Sequence, residues 1–321
     1  MKAIKLNPAF KDYLWGGTKL RDEYGKKCDL DKVAESWELS CHKDGCSVVA
    51  DGEYAGLTLP QYIEKAGKAV LGTDCEKFEY FPILIKLIDA KQNLSVQVHP
   101  DNDYAMRVEG EYGKTEMWYV VDCEPGAGLL YGFKHEITRE EVKAAAENDT
   151  LLSLANHVPV HKGDVFWINA GTLHAIGKGI LIAEIQQNSN TTYRVYDYGR
   201  VGADGKPRQL HIEKAIDVTR LAPATRPCGR PQAKPEAFDG GSVLPLASCD
   251  YFTVKEMEVT SHAALMADEK SFHSLLLLDG SLTLSMGGEK LEMEKGASVF
   301  VPAGSGAYTL TGKGRLILTT V

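Results

Sequence analysis

The sequence predicts a mainly β chain: two related β-barrels, with a few helices attached to the first. Three observations carry this. Leu94-Ser95-Val96-Gln97-Val98-His99-Pro100 alternates apolar and polar residues with period two, the pattern of a β-strand. Residues 239–321 read as strand and turn almost throughout, beyond a proline-rich stretch. A turn pattern also occurs twice: Gly163-x5-Asn169-x-Gly171-x2-His174 returns as Gly296-x5-Pro302-x-Gly304-x2-Ala307, every matched position shifted by the same interval. The second copy keeps the turn residues and loses the histidine. This predicts a first barrel that binds a metal and a second that does not.

In chain order, residues 1–57 read as short strands and turns, with Trp15-Gly16-Gly17 a tight loop and Ala34–Ser40 an alternating strand. Thr58-Leu59-Pro60 opens a helix running to about Val70 and stopped by Gly72, since proline fits the first helical turn. Phe81 to Asp89 is a nearly continuous apolar run with Lys86 inside it, the pattern of a buried strand. Lys114–Val121 is another strand. Pro125-Gly126-Ala127-Gly128 then turns the chain into a strand over Leu129–Phe133. Thr138-Arg139-Glu140-Glu141 is a capping box that starts a helix to about Glu147, and a second helical piece covers Leu151–Asn156. Strands follow at Gly163–Ile168, Gly179–Gln186 and Thr192–Tyr196, then a short helix at His211–Val218. Residues 222–238 hold Pro223, Pro227, Pro231 and Pro235 and read as the linker. The expected domains are therefore 1–238 and 239–321.

A chain of 321 residues with 44% hydrophobic composition can bury a substantial core. Its net charge of −8 argues against nucleic acid and anionic membrane as partners. The seven cysteines show no Cys-x-x-Cys spacing, which fits reduced thiols in the cytoplasm. The N-terminus lacks a signal-peptide apolar core, and no apolar run is long enough to span a bilayer.

The alternation in 94–100 puts Leu94, Val96 and Val98 on one face and Ser95, Gln97 and His99 on the other. A polar inner face needs partners, because buried polar groups that lack them are costly. Glu116 and His174 lie on later strand-like runs. Two imidazoles, a carboxylate and an amide oxygen make a four-ligand set for one divalent cation.

The Gly-x5-Pro-x-Gly-x2-His pattern resembles the second conserved motif of cupins, small jelly-roll barrels that hold a metal. A longer pattern is narrower. Phe81–Lys86 running to Leu94–Pro100, Lys114-Thr115-Glu116-Met117-Trp118 and Ala170–His174 together resemble type I mannose-6-phosphate isomerases. So do Trp15-Gly16-Gly17, Glu35-Ser36-Trp37 and Asn188–Arg194, so the resemblance covers nearly the whole chain. It implies two cupin-like jelly-roll barrels and interconversion of mannose 6-phosphate and fructose 6-phosphate. It also implies one zinc ion per chain, with ligands falling on Gln97, His99, Glu116 and His174. The family's site lysine falls on Lys114, its arginine on Arg194, an acidic residue on Glu184 and a serine lining the site on Ser95. Thr115 stands where the family usually has proline. The chain also lacks room for the helical insertion of the long enzymes, so it resembles the short bacterial form.

The residues suit that chemistry. A divalent metal with one carboxylate and three neutral ligands keeps about one surplus positive charge to stabilise an enediolate. Lys114, Glu184 and a metal-bound water are candidate bases, and Arg194 suits a phosphate or a developing oxyanion. Two alternatives follow from the same residues: a catalytically silent cupin that senses a sugar phosphate, and a cupin isomerase acting on glucose 6-phosphate or another sugar phosphate. No glycine-rich nucleotide loop follows a strand, so no nucleotidyltransferase activity is expected. Trp15, Trp37 and Trp118 read as core, and His157, His161 and His211 as surface or structural residues.

Overall fold

The computed structural model describes every residue except Ala203, Asp204 and Pro227, the last of which lies in the expected linker. The chain is mainly β, as its alternation predicts. Two sheets build the region around His99. One has seven strands in the order Cys228–Gly229, Val165–Ile168, Glu116–Cys123, Ile180–Gln187, Ile83–Ala90, Glu35–Leu39, Ala9–Lys11. The other has five, in the order Ala155–Pro159, Gly128–Phe133, His174–Ala175, Val96–Val98, Tyr193–Tyr196. Side chains from both meet in one apolar cluster that includes Ile88, Trp118, Leu129, Tyr131, Phe166 and Ile182.

The seven-stranded sheet is covered on both faces, which explains its unbroken apolar runs. Ile83, Ile85, Leu87, Met117, Leu181 and Ile185 pack outward against Phe252, Val254, Leu276, Phe300 and Ile317 of the C-terminal strands. Alternation then turns Lys86 and Glu184 inward. The outer face of the five-stranded sheet carries Val96, Val98, Phe133 and Val195, and is covered by the helices Arg139–Glu147 and Ile212–Val218 through Val142, Ala145 and Ile216.

A ten-stranded sheet holds the C-terminal strands and also the N-terminal strand Ile4–Asn7, whose Ile4 and Leu6 pair with Phe300 and Ser298. The repeated turn pattern has matching backbone: Gly163 and Gly296 both adopt φ +87°, ahead of the strands Val165–Ile168 and Ser298–Val301. No helix among the described residues is long and apolar enough to cross a membrane.

Local signals behaved as their chemistry predicts. Thr58 and Thr138 both close capping boxes, with Gln61 and Glu141. Residues 1–57, expected as strands and turns, also hold a one-turn helix at Lys19–Asp22, too short to show an apolar period. The helix opened by Thr58 is Leu59–Ala66, and a 3-10 turn at Lys68–Leu71 completes the expected span. Leu151–Asn156 is helical only to Leu154, and Ala155–Pro159 is a strand. The alternating stretch is strand only over Val96–Val98, and Leu94 packs with the inner cluster rather than with Val96 and Val98. A helix at Asn102–Val108, capped by Asp101, was not expected.

His273 Nδ1 lies 2.7 Å from the Tyr308 hydroxyl. Burial pushes its pKa down from 6.5 to about 4, with Asp268 opposing and Lys255 reinforcing the shift. Between those values the unfolded chain binds a proton that the folded chain does not, so stability falls as pH falls through the window. Removing the group in His273→Gln should flatten the pH dependence of the unfolding free energy there, by up to about 1.4 kcal/mol per pH unit. Denaturant titrations of both proteins across this range check it.

Candidate active site

Three neighbouring strands of the five-stranded sheet present a row of side chains. His174 pairs with Gln97, and Gln97 pairs with Arg194. Directly opposed residues share a face of a sheet, so these three project together. From the seven-stranded sheet comes a second row, Trp118–Glu184–Lys86, with Glu116 two residues before Trp118. The two rows face one another.

His99 and Lys114 join them through a chain excursion. After Pro100 the helix Asn102–Val108 carries the chain away, and Lys114 N–H returns to Pro100 O at 3.0 Å. Gly171 N–H bonds His99 O at 2.8 Å, tying the turn before His174 to the end of the His99 strand. Gly171 sits at φ +86°, and a Cβ there would lie 2.7 Å from Val218 O. Gly171→Ala should therefore cost about 1–3 kcal/mol and weaken metal binding by displacing His99. Denaturation midpoints and metal affinity would report it.

The ligand-type atoms of His99, Glu116 and His174 all lie within 4.8 Å of one another, and all three residues are buried. Each imidazole donates its Nδ1 proton to a backbone carbonyl: His99 to Thr191 O at 2.9 Å and His174 to Thr172 O at 2.8 Å. A carbonyl can only accept, so the tautomer follows, and both Nε2 atoms carry lone pairs. His99 Nε2 lies 3.1 Å from Glu116 Oε1. Two lone-pair atoms this close call for a cation between them. The Lys114 ammonium provides one here, 3.2 Å from His99 Nε2 and hydrogen-bonded to Glu116 Oε1. Gln97 Nε2 is 3.3 Å from His174 Nε2, and half a turn of the amide presents its oxygen at the same place. Two nitrogens, a carboxylate and an amide oxygen converging in a buried spot fit a tetrahedral zinc-type site.

The electrostatics agree. Burial, reinforced by Lys114, pushes His99 down to about 3. Burial also lowers His174, so both rings are neutral donors. Burial alone would raise Glu116, but Lys114 and then His99 hold it well below the usual carboxylate range. Glu184 is raised, first by burial and then by Glu116. Trp118 Nε1–H bridges the two carboxylates, 2.8 Å from Glu116 Oε2 and 2.9 Å from Glu184 Oε2. Lys86 Nζ lies 3.3 Å from Glu184 Oε1 and 3.6 Å from Glu35 Oε2.

A cavity of about 320 Å³ opens onto these groups, bounded by Ser95, Gln97, Lys114, Glu184 and Arg194 among others. The structure thus gathers the eight residues singled out from the sequence around one small volume. It adds Tyr13, Glu35, Lys86, Asn190, Thr192, Arg208 and His211, which the sequence reading did not place there. Trp15 lines the cavity and Trp118 bonds its carboxylates, so neither is core alone. His211, expected as a surface or structural residue, is structural, bonded to the Arg194 backbone, and also lines the cavity. Only Lys86 had a local signal, a charge inside an apolar run. A larger cavity of about 710 Å³ beside Cys41, Phe78 and Tyr112 holds no comparable metal-donor cluster among the described residues.

The chain resembles known proteins along its whole length. Residues 3–120 match the profile of the catalytic domain of type I phosphomannose isomerase, and residues 243–321 that of the mannose-6-phosphate isomerase cupin domain. The probable mannose-6-phosphate isomerase GmuF of Bacillus subtilis is 40% identical, covering 96% of this chain and 95% of its own. A mannose-6-phosphate isomerase of Streptococcus mutans is 39% identical over 90% of this chain and 89% of its own. The crystal structure of the mannose 6-phosphate isomerase from Bacillus subtilis superposes with a TM-score of 0.91 and 34% identity, all of each chain being covered. Likeness of this extent, in sequence and in fold alike, makes the chain a member of the type I mannose-6-phosphate isomerase family of isomerases.

Proposed function

We propose that the protein interconverts mannose 6-phosphate and fructose 6-phosphate through an enediolate, with one zinc ion held by Gln97, His99, Glu116 and His174. The observation that carries this reading is the buried convergence of two Nε2 lone pairs and one carboxylate within 4.8 Å. Bound there, zinc would act as a Lewis acid that draws charge from the substrate oxygens. A single carboxylate among the ligands leaves about one surplus positive charge for that task.

The remaining work falls to the chain. Lys114, standing over the donors, moves the proton between C2 and C1. Glu184 is held by Trp118 on one side and Lys86 on the other, and orients the sugar hydroxyls. Arg194, beside Gln97 in the sheet, binds negative charge developing on the substrate, and Ser95 contributes a hydroxyl on the same face. The enclosing sheets limit water at the reacting carbons.

This reading includes two jelly-roll barrels, a catalytic one within 1–238 and a metal-free one at 239–321. A separate apolar cluster of residues such as Met257, Leu275, Leu284, Val299 and Leu316 supports the second. Ala307, where the first copy has His174, supports a single metal per chain. The seven free cysteines fit a reducing, cytoplasmic compartment.

A coupled assay on mannose 6-phosphate, with and without chelator, tests the proposal. Turnover that is lost on chelation and restored by zinc is expected. Metal-replete protein without turnover would remove the enzyme reading and leave a sugar-phosphate sensor.

A further inference from the structure

The cavity has a second polar end that the metal centre does not use. Tyr193–Tyr196 is the edge strand of the five-stranded sheet, but its edge is not bare at Arg194. His211 N–H donates to Arg194 O at 2.8 Å, and Arg194 N–H lies 3.2 Å from His211 Nδ1. His211, just before the helix Ile212–Val218, is therefore docked against the sheet edge at Arg194 through one backbone hydrogen bond and its own imidazole. Crossing the sheet from the donors, the order is His174, Gln97, Arg194, His211. Strands in a sheet lie about 4.8 Å apart, so His211 stands roughly two spacings, about 10 Å, from Gln97. That suits the span of an open six-carbon sugar with its reacting carbons at one end and a substituent on C6 at the other.

The far end carries donors and excess positive charge. His211 Nδ1 accepts from the backbone, so its proton sits on Nε2, free to donate. Arg208 presents Nε and Nη2 to Asp197, at 2.7 and 2.6 Å, which fixes the guanidinium plane and leaves Nη1 uncommitted to that fork. Arg200 shares the same Asp197, so one carboxylate answers two arginines. Arg194 adds a third, and its buried Nε has no hydrogen-bond partner among the described residues. Arg194, Arg208 and His211 all line the site cavity. A rigid guanidinium with free N–H groups, a neutral imidazole N–H and a local surplus of positive charge make a site for a tetrahedral oxyanion.

We propose that Arg208 and His211 form the phosphate-binding end of the cavity, with Arg194 standing between it and the metal donors and Asp197 positioning Arg208. The assignment rests on the isomerase reading for the identity of the sugar, and on the geometry alone for the anion. It makes this end the determinant of preference for phosphorylated over free sugars.

The experiment compares the full-length metal-loaded protein with Arg208→Ala, His211→Leu and His211→Gln, the last retaining an N–H donor. Inorganic phosphate binding is measured by calorimetry, alongside kcat and KM on mannose 6-phosphate and zinc content. Arg208→Ala and His211→Leu should each weaken phosphate binding and raise KM by about tenfold or more, with zinc content unchanged, and His211→Gln should recover part of the loss. Because Arg208 also anchors Asp197, the His211 pair keeps the test valid if Arg208→Ala does not fold. Phosphate affinity and KM equal to wild type in both His211 variants would overturn the assignment. Phosphate binding that depends on these residues in a protein that does not turn over mannose 6-phosphate would sink the isomerase reading and leave the anion site standing.

Discussion

His99→Ala should abolish metal binding and lower kcat/KM by on the order of a thousandfold or more, since losing even an outer partner of a ligand costs 10–100-fold. The imidazole is fully enclosed, its Nδ1 spent on Thr191 O and its Nε2 facing Glu116. Its removal leaves the carboxylate opposite one imidazole and an amide, too few donors to hold zinc firmly. The fold should survive, because the packing of the His99 strand rests on Val96 and Val98 beneath the helices. Metal content, turnover and circular dichroism of the variant check this together. Wild-type metal content would contradict the ligand assignment.

Lys114→Met should behave in the opposite way, keeping the metal and losing about 10²–10⁴-fold in kcat. The methionine keeps most of the stem and removes the ammonium. A second effect separates its metal-free and metal-loaded forms. Without metal, Lys114 is the main positive partner of the buried Glu116 carboxylate. Taking away one member of a buried ion pair costs about 3–5 kcal/mol. The metal-free variant should thus be markedly less stable than metal-free wild type, and zinc should restore most of the difference. Thermal unfolding with and without zinc, set beside steady-state kinetics, gives both readings. Normal turnover would make Lys114 a bystander, and a metal-free variant as stable as wild type would argue that Glu116 has another partner.

Gln97, His99 and His174 had local, chemical signals, whereas Glu116 joined the donor set through the family resemblance. A strand that alternates Val with Ser, Gln and His has a face with nothing apolar to bury, and the turn before His174 is marked by Gly171. The capping boxes at Thr58 and Thr138 were legible for the same reason. Much of the rest depends on pairings between distant segments. Lys86 stands out in an apolar run, but its partners Glu35 and Glu184 lie far along the chain. His211 looks like an ordinary residue before a helix until it is seen docked on Arg194. The helix Asn102–Val108 buries only Ala105, so its apolar period is too weak to read. Likewise, Ile4–Asn7 is a plausible strand by itself, but nothing local says that it pairs with residues 298–300.

The most direct test of the account is a zinc titration into chelator-treated wild-type protein, followed by calorimetry and by turnover of mannose 6-phosphate in the same samples. One zinc per chain is expected, with activity rising in proportion to occupancy and saturating at that ratio. Full turnover by metal-free protein, or zinc binding at a ratio of two with activity tracking the second ion, would contradict it.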